Sequence, residues 1–365
     1  MKEWAIRFCF VILGVVLTLG TLKIIDFVKG PEEVETEIVE VPVITTVVAE
    51  ESKVTEEDFA DEARAMFDSL FSTTPTTAVE EEESESEDES EDTGAKLKWK
   101  EDYPMIDSDC TLEEKMAERS SYEETMATNA FDKMVIENST IDFSGVKISV
   151  MGDSITEGNT LPEDEKEEYN WPAQLASILG CEVENFGIGG STVSNVVDNY
   201  PMCERWNEIP TDSDIIIVMG GSNDMLFENK WQYGELEYDK RMTEGTFCGD
   251  LDRMLGAMKW TYQDNNEDGY TELIYINPPS CILQDGVYNV DPGNMVHQSE
   301  FAEAINTIAP AYNFSVIDLY NNNFLNSHDA DINALYINDG IHGNKEAYRI
   351  LAEHIASQII QRIEQ

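Results

Sequence analysis

From residue 146 onward, short apolar runs alternate with longer stretches whose apolar residues recur every three or four positions, and this alternation restricts the fold more than any other feature of the chain. The runs Val146–Met151, Cys181–Phe186, Asp214–Met219, Thr271–Asn277 and Ser315–Leu319 have strand length. Between and after them, helical spacing predicts helices near Trp171–Leu179, Thr192–Tyr200, Asp239–Tyr262, Ser299–Tyr312 and Lys345–Ile363. Strands joined through helices must run parallel, with helices covering both faces. The expectation is an α/β protein: a three-layer α/β/α sandwich around a parallel, five-stranded sheet. In such sheets the loops after the strands' carboxyl ends gather at one edge and form the site.

Several short motifs lie at or beyond such ends. Gly152-Asp153-Ser154-Ile155-Thr156 follows the first run, and Asn185-Phe186-Gly187-Ile188-Gly189-Gly190 closes the second. Gly221-Ser222-Asn223-Asp224 follows the third, and Asp339-Gly340-Ile341-His342 precedes the last helix. A serine hydroxyl is a weak nucleophile near neutrality and needs a base within hydrogen-bond reach, for which a neutral imidazole is suited. Ser154 is the candidate nucleophile and His342 the candidate base. Asp339, three residues before His342, is placed to fix the tautomer and stabilise the imidazolium. Ser154 and Gly190 through backbone N–H groups, and Asn223 through its amide, are candidate donors to the oxyanion that forms when an ester carbonyl is attacked. Structural readings stand beside these: Ser154 and Asp339 as helix caps, Gly190 and Asn223 as turn residues. Asp153 and Asp224 are expected to brace loops. His354 falls within the predicted last helix, and His297 and His328 lie in long loops with no matching carboxylate motif. The Gly-x-Ser-x-Gly elbow of α/β-hydrolases is absent around Ser154.

The four segments, in this order, resemble the blocks of the SGNH/GDSL hydrolase superfamily over about Val146 to Gln365. The resemblance implies a flavodoxin-like sandwich, Ser154 as nucleophile, and Ser154, Gly190 and Asn223 as the oxyanion hole. It also implies Asp339 and His342 as the rest of the triad. No cofactor and no metal are expected. The run Asp329-Ala330-Asp331-Ile332-Asn333 begins like a calcium loop but lacks the glycine and the closing glutamate.

The remainder of the chain reads differently. Residues 8–22 are almost wholly apolar, with Lys2 and Arg7 on the amino side, so residues 1–30 are expected to be a single-pass anchor with the catalytic domain outside the cell membrane; a cleaved signal peptide is the competing reading. Residues 31–100 read as an acidic disordered linker, since 80–92 consist entirely of Glu, Asp and Ser, though 54–71 carry helical spacing through Phe59, Ala63, Met66, Phe67 and Leu70. Residues 101–143 are expected to form a helical extension, with one helix over Leu112–Val135, and 144–365 the hydrolase domain.

The net charge of −51 is not confined to the linker: residues 1–100 hold 25 acidic and 9 basic residues, leaving 49 and 14 in 101–365. A surface near −35 repels phosphate backbones and builds no basic footprint, which speaks against a nucleic-acid partner. Five cysteines beyond Cys9 show no CxxC pair, and a Cys203–Cys248 bridge is left open. Long segments at Ile155–Asn170, Met225–Tyr238 and Pro278–Gln298 are expected to surround the site. In them Phe227, Trp231, Tyr233, Tyr238 and Tyr288 offer either a sugar platform or loop packing. The function expected is a serine esterase removing acyl groups, chiefly acetyl, from an extracellular glycan. Alternatives are a lysophospholipase or thioesterase, an acyltransferase, and a non-catalytic glycan-binding module.

Overall fold

The computed structural model describes residues 56–71, 96–195, 199–227, 230–236, 242–282, 297–337 and 339–364. Five strands, β1 (Lys147–Gly152), β2 (Glu182–Gly187), β3 (Ile215–Met219), β4 (Glu272–Asn277) and β5 (Ser315–Asp318), form one parallel sheet in the order β2-β1-β3-β4-β5. This is the flavodoxin-like order, whose direction of winding reverses between β1 and β3, where a crevice opens at the carboxyl edge.

Eleven helical segments matter here: α1 (Glu56–Phe71), α2 (Leu112–Glu118), α3 (Ser121–Asn138), α4 (Ser154–Glu157), α5 (Trp171–Leu179), α6 (Met202–Arg205), α7 (Ser222–Phe227), α8 (Phe247–Lys259), α9 (Gln298–Ala311), α10 (Ala330–Leu335) and α11 (Lys345–Arg362). Side chains alternate across a strand, so β3 sends Ile215, Ile217 and Met219 to one face and Ile216 and Val218 to the other. Phe131 of α3, Trp171 and Leu175 of α5, and Ile355 and Ile359 of α11 cover the first face. Met202 of α6, Leu251 and Met254 of α8, and Phe301 and Ile305 of α9 cover the second. Every residue of β3 is completely buried, so truncating Ile217 to alanine would cost about 2–5 kcal/mol. The edge strand β2 differs: Glu182 and Glu184 are exposed, and their charges discourage pairing with another chain.

Local chemistry sets the helix ends. Asn170 caps α5 by accepting from the N–H of Ala173 at 2.8 Å, Pro172 fits its first turn, and Gly180, at φ 70°, ends it. The helix expected over Leu112–Val135 is two. Ser120 breaks it by forming a capping box with Glu123 at the start of α3, as Thr111 does with Glu114 for α2. The stretch expected as a helix over Thr192–Tyr200 is, where described, irregular chain, and helix resumes only at Met202.

The expected anchor, residues 1–30, lies outside the described residues. Among the described residues no helix is long and apolar enough to cross a membrane. Within the stretch read as linker, 56–71 form α1, which buries Phe59 and Ala63. The same stretch places Trp99 in an antiparallel bridge with Ile363. The ordered body therefore begins before residue 101, because the apolar residues of α1, three to four positions apart, have α3 to pack against. Cys110, Cys181, Cys203, Cys248 and Cys281 form no disulfides among the described residues, so the Cys203–Cys248 bridge left open by the sequence is not formed.

Candidate active site

The turn after β1 is built so tightly that only glycine fits at its start. A Cβ at Gly152 would lie 2.1 Å from Thr156 Oγ1. Asp153 caps the short α4 by accepting from the N–H of Ile155 at 3.0 Å, which leaves Ser154 as the first helical residue, its side chain at the carboxyl edge. Burial pushes the Asp153 carboxyl up to about 6, although the Ile155 N–H and the nearby His342 act in the opposite sense.

Ser154 is 188 residues from His342, yet Ser154 Oγ and His342 Nε2 are 2.8 Å apart. On the other side of the ring, Nδ1 lies 2.7 Å from Asp339 Oδ2. Asp339 Oδ1 accepts from the N–H groups of Ile341 and His342 at 3.0 and 2.7 Å, so one carboxylate both shapes the turn and holds the ring. Burial alone would raise the Asp339 pKa, but those N–H groups and the imidazole outweigh it and hold the carboxyl below its ordinary value. Gly340, at φ 87°, makes the turn possible.

The candidate oxyanion donors come from two further loops. The Ile188 N–H donates to Gly152 O at 3.1 Å, and the Ser191 N–H donates to Ile188 O at 3.0 Å, which places Gly190 in a tight turn beside the end of β1. Gly190 has φ 77°, and a Cβ there would meet Asn199 Nδ2 at 2.9 Å. Asn223, near the start of α7, donates from Nδ2 to Ser191 O at 3.0 Å. Asp224 braces the same loop, accepting from the N–H groups of Val193 and Ser194 at 2.8 and 2.9 Å. The structure thus gathers Ser154, Gly190, Asn223, Asp339 and His342 around the β1/β3 crevice.

The other sequence candidates fall elsewhere. Tyr233 is buried against Phe247 and Phe301 and donates to Glu300 O, so it packs its loop and is no platform. The side chains of Phe227, Trp231, Tyr238 and Tyr288 lie outside the described residues. Asp329 caps α10 and also accepts from the Tyr122 N–H. His354 is buried, with Nδ1 2.9 Å from Asp132 Oδ2.

Arg205 carries no motif, yet it is the residue that the sequence reading missed. Its buried guanidinium donates to Phe186 O at 2.7 Å, Gly152 O at 2.9 Å, Ser191 Oγ at 3.1 Å and Tyr200 O at 3.1 Å. It therefore joins the ends of β1 and β2 to the Gly190 turn. A signal existed: between Lys166 and Lys230 it is the only lysine or arginine.

Residues 150–350 match the family described as GDSL-like Lipase/Acylhydrolase. An acetylxylan esterase from Xylanibacter ruminicola is 28% identical over 225 residues, which are 59% of this chain and 43% of that protein. The chain thus spans less than half the length of this curated relative. One crystal structure, 23% identical, overlays with a TM-score of 0.51 across 61% of this chain and all of its own, which supports the fold. A protein from Lactobacillus plantarum is 24% identical, with a TM-score of 0.49 across 59% of this chain and 97% of its own. The chain belongs to the GDSL-like lipase/acylhydrolase family.

Proposed function

We propose that this enzyme removes acyl groups, acetyl foremost, from hydroxyls of an extracellular carbohydrate, using Ser154, His342 and Asp339 as its triad. The observation that carries the reading is the continuous set of contacts from Ser154 Oγ through the His342 ring to Asp339, at 2.8 and 2.7 Å. His342 Nε2 takes the Ser154 proton as Oγ bonds to the acyl carbon, and the carbonyl π pair moves onto oxygen. That oxyanion is met by the N–H groups of Ser154 and Gly190 and the amide of Asn223. The intermediate collapses as the imidazolium protonates the departing sugar oxygen. Water, deprotonated by His342, then attacks the acyl-enzyme, and collapse releases the carboxylic acid and returns the proton to Ser154.

Support for a carbohydrate ester is the similarity to an acetylxylan esterase and the strongly acidic composition, which favours neutral over anionic substrates. Attachment to the cell membrane through residues 8–22, catalytic domain outside, is part of the same proposal and rests on their apolar sequence. The test is turnover on p-nitrophenyl esters of two to twelve carbons and on acetylated xylan. Hydrolysis of acetyl esters by wild type, lost in Ser154→Ala, is expected. A preference for chains beyond about eight carbons would redirect the reading to a lipase.

A further inference from the structure

The segment 96–138 lies outside the residues matched by the family, yet it is bonded into the same body. Lys98 and Lys100 exchange backbone hydrogen bonds with Glu364 and Arg362 at 2.8 Å each. Residues 105–107 run parallel to the outer edge of β5, where the Val316 N–H donates to Met105 O at 2.6 Å and the Asp318 N–H to Asp107 Oδ1 at 2.7 Å. These contacts seat α3 against the loop that leads from β5 toward Asp339.

At its first turns α3 presents two buried hydroxyls to that loop. Ser121 Oγ donates to Asn323 O at 2.7 Å and accepts from the Asn326 N–H at 2.9 Å, and Thr125 Oγ1 accepts from the Leu325 N–H at 2.9 Å. The loop they grip is strained, with Asn323 at φ 54° and Leu325 at φ 50°. A leucine adopts that left-handed conformation only where its surroundings hold it. Phe324 between them stacks on His354, whose ring is bonded in turn to Asp132 of α3.

The next residue reaches the catalytic turn. Ser327 Oγ donates to Gly340 O at 2.5 Å and accepts from the Ile282 N–H at 2.7 Å, while the Ser327 N–H donates to Ser280 O at 3.1 Å. Gly340 directly follows Asp339 and stands two residues before His342. A continuous bonded path thus runs from Ser121 and Thr125 through Asn323–Asn326 and Ser327 to the turn that carries base and carboxylate.

We propose that Ser121 and Thr125 are positioning residues for the Asp339–His342 turn, which makes the amino-terminal extension part of the catalytic unit. The proposal rests on the triad reading above. Misplacing a catalytic group by an ångström can cost about 100-fold in rate, so the expected effect falls on turnover and not on ground-state binding.

The test compares the full chain with Ser121→Ala, Thr125→Val, Thr125→Ser and Ser327→Ala, using p-nitrophenyl acetate and counting active sites by complete fluorophosphonate labelling. Expected is a kcat per labelled site about 10- to 100-fold lower in the Ala and Val variants, with KM within about twofold of wild type, and recovery of most turnover in Thr125→Ser, which keeps the accepting oxygen. Wild-type kcat per site in folded Thr125→Val or Ser327→Ala overturns the proposal. So does a loss that appears only as fewer labelled sites, because this marks a purely structural role. Should Ser121→Ala not fold, the milder Thr125→Val and Ser327→Ala decide. Absence of labelling in wild type would instead fail the triad reading itself.

Discussion

Arg205 Nη2 lies 2.9 Å from the carbonyl oxygen of Gly152, so a buried guanidinium is fastened to the last residue of the strand that delivers Ser154. The same side chain bonds the carbonyl oxygens of Phe186 and Tyr200 and the hydroxyl of Ser191. Burial lowers the Arg205 pKa, while the Glu208 and Asp153 carboxylates act to raise it. A cation so placed adds positive potential at the carboxyl end of β1, where Ser154 stands.

Replacing Arg205 by methionine keeps the stem and leaves those oxygens without the donor. The expected cost is about 3 kcal/mol of stability, read from urea unfolding, with kcat/KM on an acetyl ester falling about 100-fold. Lysine is expected to restore little, because one ammonium cannot span the same fork of acceptors. Wild-type stability and turnover in Arg205→Met would remove Arg205 from this role.

Asn223 is 8% exposed, and its Nδ2 already donates to Ser191 O, which orients the amide. Asn223→Ala is expected to lower kcat about 100- to 1000-fold with little change in KM, as loss of one oxyanion donor does elsewhere. Steady-state kinetics on p-nitrophenyl acetate check it. A rise in KM at constant kcat would make Asn223 a substrate-binding residue instead.

Stability is expected to decline as pH rises from about 5 to 8. Burial raises Glu272 to about 7 and Asp153 to about 6, and raises Asp107 as well. Burial also acts to lower His354, but Asp132 and Asp107 outweigh it and its pKa is raised. Each of these groups holds its proton more firmly folded than unfolded, so the native state binds more protons across this window. The carboxyl contributions are lost from about pH 4 upward; that of His354 is complete below its unfolded pKa and lost as pH passes its higher folded one. Glu272→Gln imitates the protonated form, so it is expected to exceed wild type by on the order of 3 kcal/mol at pH 8 and to match it near pH 4.5. Urea unfolding at both pH values checks this, and an equal difference at the two would contradict it.

Much of the sheet was legible because the inner strands β1, β3 and β4 are short, largely apolar runs whose packing agrees with their local preference. The candidate site was legible because Gly152, Gly190 and Gly340 occupy positions where a side chain would clash or φ is positive, so each motif has a characteristic composition. What escaped depended on partners distant in sequence. Thr192–Asn195 looked helical, but Asp224 and Asp250 take the N–H groups of Val193, Ser194 and Asn195 and hold that loop irregular. Phe59 and Ala63 had visible helical spacing, whereas the α3 surface that buries them did not announce itself. Tyr233 could stack on a sugar or on Phe247 with equal local logic, and tertiary packing chose Phe247.

The most direct test of the central claim is covalent: incubate the folded full chain with a fluorophosphonate and locate the adduct by peptide mass spectrometry. The account predicts stoichiometric modification of Ser154, abolished in His342→Ala. Modification of a different serine, or labelling of Ser154 at an unchanged rate without His342, would contradict it.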